Sequence, residues 1–309
     1  MSWGWLLRRL LLAFIVVIGS ATAAFCALYL LPGDPVRAML GPTGQTPQII
    51  AQVRHETGFD RPVLPRYGLF LARLLRGDLG RSYQLNEPVS TVIGSQIWST
   101  VEVALTGFLL ALLLAVLIAV ITAARRPVLR EFASTVELVL ASIPGFWIGV
   151  LLLTFFSFRW HLFPAVGGAG LSALVLPAAT LALTLVGVFA QVLREGMERA
   201  LEEPFVLSSR ARGVGETTVR VRHALRHALI PMVTLSGWVV GALLSGAVII
   251  ETIFSRPGLG RVLVTAVDTR DLPVITGVVV LSAVVFSVVS IATDVLYRIV
   301  DPRLKENRS

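Results

Sequence analysis

Six stretches of this chain contain no Asp, Glu, Lys or Arg: residues 10–31, 103–124, 138–158, 160–193, 228–250 and 272–293. A helix rising 1.5 Å per residue needs about 20 residues to cross the roughly 30 Å hydrocarbon layer of a bilayer. Five of the runs have 21 to 23 residues and match that length. The fourth is longer, and its opening, 160–170, holds His161, Pro164 and three glycines. That opening reads as an interfacial loop, which leaves 171–193 as the span. A soluble fold would break its apolar residues into periodic faces. Here 55% of residues are hydrophobic and 15% charged, with a mean hydropathy of +0.79. The expected fold is therefore an all-α integral membrane protein with six transmembrane helices.

The first run follows Arg8 and Arg9 but is too long for a secretory signal, whose apolar core has about 7–15 residues. It is expected to be a retained anchor. Cys26, the only cysteine, falls inside it, so no intramolecular disulfide or cysteine-based metal cluster is available and a packing role is expected. The net charge of +8 sits beside the spans, where topology and anionic lipid account for it without nucleic acid.

With the N-terminus in the cytoplasm, the inner segments hold Arg8, Arg9, Arg125, Arg126, Arg130, seven arginines between Arg194 and Arg226, Arg298, Arg303, Lys305 and Arg308. The short outer loops hold only Arg159, Arg256, Arg261 and Arg270. Positive residues accumulate on the cytoplasmic side, so both termini are expected inside. Residues 1–31 then form an N-terminal segment and first helix, 32–95 an extracytoplasmic segment, and 96–309 a five-helix core whose loop 194–229 faces the cytoplasm. The outer segment has helix-compatible stretches at 47–50 and 67–75, separated by Gly58 and Pro62. In the inner loop Pro204 can open a short helix and Gly213 can close it. Glu216 can start a second helix that runs into the fifth span.

Lys305 is the only lysine and no glycine-rich loop precedes it, so the chain has no P-loop. ATP and Mg would have to be bound by another polypeptide, and no cofactor is expected in this one. His223 and His227 stand at i and i+4, a spacing that suits either a metal pair or a solvated basic face shared with Arg222 and Arg226. Glu102, Glu137, Glu251 and Asp294 are read near span ends, with Asp294 one turn from Arg298. The absence of a carboxylate at mid-membrane argues against an ion-coupled carrier or channel. No convergent cluster points to a membrane enzyme. Ser142, Thr180, Thr184, Gln191, Ser236, Ser245 and Ser282 are expected to hydrogen-bond within or between helices. Pro144-Gly145 and Pro177 allow either functional kinks or plain curvature.

Glu203-Pro204-Phe205-Val206, Ala211-Arg212-Gly213, Arg222-His223-Ala224-Leu225 and Ile230-Pro231 follow one another in the inner loop. This order resembles the EAA loop of ATP-binding-cassette importer permeases, in the version of the dipeptide, oligopeptide and nickel family. Leu31-Pro32-Gly33-Asp34-Pro35, Gly77-Asp78-Leu79-Gly80 with Ser82, Glu251-Thr252-Ile253-Phe254, Pro257-Gly258-Leu259-Gly260 and Asp301-Pro302-Arg303 extend the likeness over nearly the whole chain. The resemblance implies a type I importer permease bundle of the B type. It also implies a C-type permease partner, two ATPase subunits or domains and an extracytoplasmic substrate-binding protein, with peptides as substrate. Nickel chelates, glutathione, opines or another small solute are the alternatives the family offers. It further implies that Glu203, Pro204, Phe205, Val206, Leu207, Arg210, Ala211, Arg212 and Gly213 form the segment that docks on the ATPase. Phe205, Val206 and Leu207 are expected to enter an apolar groove there, while Arg210 and Arg212 meet either acidic rims or lipid headgroups. Where the family commonly has Arg-Asn-Ala, this chain has Arg226-His227-Ala228. Asp34 and Asp78 are read as helix caps or as contacts to a partner, and the substrate path is not assigned.

Overall fold

Backbone N–H and C=O groups find no partners in hydrocarbon, so a charge-free run must satisfy them within itself, as a helix. The computed structural model describes residues 3–30, 34–40, 46–82, 84–124, 127–166 and 170–300. Leu31, Pro32, Gly33, Arg125, Arg126, residues 301–309 and the side chains of Ile230, Ser236, Ser245 and Arg298 lie outside the described residues. The helices are α1 (Trp3–Leu30), α2 (Pro35–Leu40), α3 (Pro47–Glu56), α4 (Val63–Leu75), α5 (Val89–Thr122), α6 (Pro127–Ser142), α7 (Gly145–Leu152), α8 (Leu171–Leu201), α9 (Pro204–Ala211), α10 (Glu216–Thr218), α11 (Leu225–Ile253), α12 (Leu259–Asp268) and α13 (Leu272–Val300). Leu153–Arg159 and Val219–Ala224 are π-helical. Two short strands, β1 (Arg81–Ser82) and β2 (Glu87–Pro88), pair antiparallel. The described residues fall into two compact units, within Met1–Thr100 plus Pro257–Val288 and within Val101–Arg256 plus Val289–Ser309.

Among the described residues four helices are long and apolar enough to cross a membrane: Trp3–Ala27, Val89–Thr122, Leu171–Leu201 and Leu272–Val295. The third run differs from a straight span. Pro127–Ser142 and Gly145–Arg159 meet at a 98° bend. Pro144 supplies no N–H, and its ring drives the preceding residue out of the helical region, so the hydrogen-bond ladder breaks there. Pro177, by contrast, sits inside an unbroken α8.

In the first unit α1 is tied down at one end. Ala21 and Phe25 are buried; the Phe25 ring lies 5.2 Å from Tyr67 and 5.3 Å from Phe70, and Thr22 Oγ1 is 2.6 Å from the Tyr67 hydroxyl. Cys26, expected to pack, is instead exposed, because it stands one residue round the helix from that seam. Arg66 is buried with its guanidinium 4.0 Å from the Phe59 ring centroid and 5.3 Å from that of Phe25. Asp34 Oδ1 accepts from the Val36 amide in the first turn of α2, and Oδ2 bonds Arg54. Asp78 does not cap a helix: it accepts from the Gly80 amide at 2.9 Å and shapes the turn, where Gly77 and Gly80 both have positive φ.

The second unit is organised by size rather than by polarity. Along α5, Ala111, Ala115 and Ala119, and Ala123 just past its end, are fully buried, while Leu105, Leu109, Leu113, Leu117 and Ile121 are exposed. Small residues let helices approach and large ones face outward, as expected where the surroundings are as apolar as the side chains. Phe189, Leu193 and Met197 of α8 fill the core against Ala224, Ala228 and Met232. Two glycines mark close crossings. A Cβ on Gly187 would lie 2.5 Å from the Glu137 carbonyl oxygen, and one on Gly196 would lie 3.0 Å from the Ala228 Cα. Glu251, read as following the fifth span, is within α11 and fully buried, because that helix continues to Ile253.

Gly187→Val should therefore force the α6 and α8 backbones apart, at a cost of roughly 1–3 kcal/mol or more. Gly94→Ala, where nothing stands within 4 Å, should be tolerated. Melting of the detergent-solubilised variants checks both.

Candidate functional site

The segment from the end of α8 to the start of α11 is a strapped surface helix. Pro204 occupies the first turn of α9, where its missing N–H costs nothing, and Glu203 precedes it in extended conformation. The helix stops in a Schellman motif: the Gly213 amide bonds the Arg210 carbonyl at 2.9 Å, the Val214 amide bonds the Ser209 carbonyl at 3.2 Å, and Gly213 has φ +78°. Glu216 then opens α10, which passes through the π-helical turn 219–224 into α11 without a break.

α9 has two faces. Val206 is 1% exposed and sits in the same core as Leu193, Met197, Val219 and Ala228. Ser209 is buried and donates to the Phe205 carbonyl. Phe205 is half-buried, with its ring stacked 4.9 Å from that of His227. Of the three apolar residues expected to enter a partner's groove, only Leu207 points outward, at 72% exposure. A helix that packs on its own core cannot present Val206 elsewhere, since neighbouring positions lie 100° apart. Glu203, Pro204, Ser208, Arg210, Ala211, Arg212 and Gly213 share the exposed side with Leu207.

Arg210 is engaged within the segment. Its guanidinium makes two bonds to Glu216, Nε to Oε2 at 3.1 Å and Nη2 to Oε1 at 3.0 Å. This pairing holds the Glu216 carboxyl below its ordinary range, with Arg220 adding to the effect. A depressed carboxylate contributes stability above its unfolded pKa and loses it as pH falls through the folded value. The strap is thus intact at neutral pH, though its half-exposed position keeps its worth small. His223 Nδ1 faces the Thr218 carbonyl at 3.4 Å, so the two histidines have separate neighbours.

Two anchors beneath the segment escaped the sequence. Arg220 is buried and donates Nη1 to the Ala123 and Val120 carbonyls at 2.5 and 3.3 Å, capping the C-terminal end of α5 where the helix dipole favours a cation. Glu137 on α6 and Arg194 on α8 form a buried two-pronged pair, with Nε to Oε1 at 3.2 Å and Nη2 to Oε2 at 2.7 Å. Glu198 joins them at 3.8 Å and reaches Arg130 at 3.2 Å. The partners are 57 and about 100 positions apart, a separation at which local spacing gives no sign of the pairing.

Residues 90–306 match the family of binding-protein-dependent transport system inner membrane components, and residues 3–104 match the N-terminal membrane component of such systems. The chain belongs to this permease family. A protein named as a peptide transport system permease in Brucella abortus (strain 2308) is 34% identical, covering 97% of this chain and 98% of its own length. The glutathione transport system permease GsiC of Salmonella typhimurium is 35% identical with the same coverage. The protein is thus a multi-pass cell-membrane permease of an ATP-binding-cassette importer. The permeases of these importers are not themselves the ATPase.

Removing one partner of the buried pair should be costly and removing both much less so. Glu137→Leu is expected to destabilise the permease by about 3–5 kcal/mol. Glu137→Leu with Arg194→Met should recover most of that loss, read as melting temperature in one detergent.

Proposed function

We propose that this permease forms, with a second C-type permease, the path for short peptides delivered by an extracytoplasmic binding protein. Two ATPase subunits or domains would drive it from the cytoplasm. The supporting observation is the full-length likeness to the Brucella protein named for peptide transport. The equally extensive likeness to a glutathione permease supports glutathione, itself a short peptide, as a second candidate.

In this proposal α1, α5, the bent pair α6 and α7 with its π-helical extension, α8, α11 and α13 are the six spans, and both termini lie in the cytoplasm. Residues 32–95 form the outer segment, 96–309 the core, and 194–229 the coupling loop. The charge bias of the loops and the separation of short helices from long apolar ones support this arrangement.

Coupling is proposed to run through the exposed side of α9. Leu207, with Pro204, Ser208 and Ala211 beside it, would seat in the ATPase, and Arg212 would meet an acidic rim. Phe205 and Val206 would transmit rather than touch, by fixing α9 to the core. Continuity from Glu216 to Ile253 gives the displacement a route into α11.

Two measurements test this. Purification from native membranes in mild detergent should bring down a second permease and P-loop ATPases, with ATP hydrolysis stimulated by peptide and binding protein. A chain that transports alone without ATP would overturn the reading. Leu207→Asp should cut peptide-stimulated hydrolysis by about tenfold, the worth of roughly 1.4 kcal/mol of docking energy, with melting unchanged. Val206→Asp should instead unfold the segment; equal behaviour of the two variants would reject the assignment of faces.

A further inference from the structure

Between α9 and α11 the chain passes two soft places. The first is the link that closes α9, where Gly213 and Gly215 stand on either side of Val214. A Cβ on either glycine would meet nothing within 4 Å, so this stretch of backbone runs through open space. Glycine is also the residue whose backbone is least restricted. The second is the π-helical turn Val219–Ala224, a geometry that occurs mostly as single turns inserted in α-helices. A displacement of α9 carried along the chain must cross both before it reaches α11, and the glycines can absorb it.

Three contacts bridge the glycine link. Val206 is buried in the core that also holds Val219 and Ala228, which seats α9 on the unit. Arg210 pairs with Glu216, but both side chains are nearly half exposed and solvent screens them. The third contact is the stack of Phe205 on His227, with ring centroids 4.9 Å apart and planes inclined by 29°. It joins the first turn of α9 to the first turn of α11 and so spans the glycine link and the π-helical turn together. Phe205 packs against the core, whereas His227 is exposed. Among the described residues the His227 ring makes no hydrogen bond or ion pair, so what it offers the fold is its face. Rings at this separation attract one another beyond the area they bury.

We infer that His227 is a positioning residue for coupling. Its ring clasps Phe205, so that a displacement of α9 reaches α11 directly instead of being taken up at Gly213 and Gly215. The inference rests on the coupling role proposed for α9 and adds to it a second route beside the continuous chain.

The test uses the native complex of permease, ATPase subunits and binding protein, with three replacements at one exposed position. His227→Ala removes the ring, His227→Asn keeps a hydrogen-bonding group without a ring, and His227→Phe keeps a ring without a hydrogen-bonding group. Melting should be unchanged in all three. Peptide-stimulated hydrolysis, taken as a ratio to the unstimulated rate, should fall about threefold in the alanine and asparagine variants and be retained in the phenylalanine variant. Phe205→Leu removes the same stack, so adding His227→Ala to it should cause no further loss. The clasp is overturned if all three replacements at His227 lose stimulation alike, if none does, if asparagine serves as well as phenylalanine, or if the double variant loses the product of the two factors. Hydrogen exchange of the α9 amides gives a readout that needs no cargo: it should be about threefold faster in His227→Ala and unchanged in His227→Phe. If the wild-type complex shows no stimulation by peptide, the peptide reading fails on its own and exchange decides the clasp. Faster exchange in the alanine variant alone would then retain it, and equal exchange would reject it.

Discussion

The second unit depends on what it takes to bury α8. This helix packs against α6, α7, α11 and the π-helical turn, and nearly every residue from Leu174 to Leu201 on those sides is buried. Burial on so many sides is possible only if neighbours come close, and the two glycines of α8, Gly187 and Gly196, each let a neighbouring backbone approach. Close approach in turn traps Arg194, which cannot remain buried without a counter-charge. Glu137 supplies it from the helix that Gly187 admits. The glycine and the ion pair are therefore one device. Without the close crossing the two prongs could not reach, and without the pair the crossing would hold an uncompensated charge.

The apolar runs made the long helices legible, because length and absence of charge are properties of contiguous sequence. Pro204, Gly213 and Glu216 were legible for the same reason: each acts on its immediate neighbours, and each stands at an end of α9 or α10, Gly213 just past the C-cap of α9. The direction of a side chain was not. Val206 and Leu207 are adjacent and equally apolar, and only the core beneath α9 sends one inward and the other out. Pairs distant in sequence, such as Arg220 with Ala123 or Ser82 with Asp271, left no trace that spacing could reveal. The bend at Pro144 was half legible. Proline announces a broken ladder, but the angle of 98° is set by packing, with Gly145 so close to Thr184 that a Cβ would stand 2.9 Å from its hydroxyl.

The motifs that carried the family resemblance acquire separate physical reasons. Gly77 and Gly80 permit a turn with positive φ, Asp78 closes it, and Ser82 delivers a hydroxyl to Asp271. Pro257 and Leu259 are received by Ser99 and Thr100 at the start of α5. These fragments of one linear pattern converge in the first unit. The loop motif belongs to the second unit, where it builds a surface helix. The apolar contacts under α9 are close-packed and resist shear, so under the proposed coupling role a push on Leu207 moves the segment as a body.

Asp271 carries more charge than its place in the fold requires. A residue at the start of a helix is served as well by Ser, Thr or Asn as by Asp, so capping alone does not call for a charge. Ser82 satisfies one oxygen and would do the same for an amide. The charge thus brings a desolvation cost that neither the cap nor the hydroxyl requires.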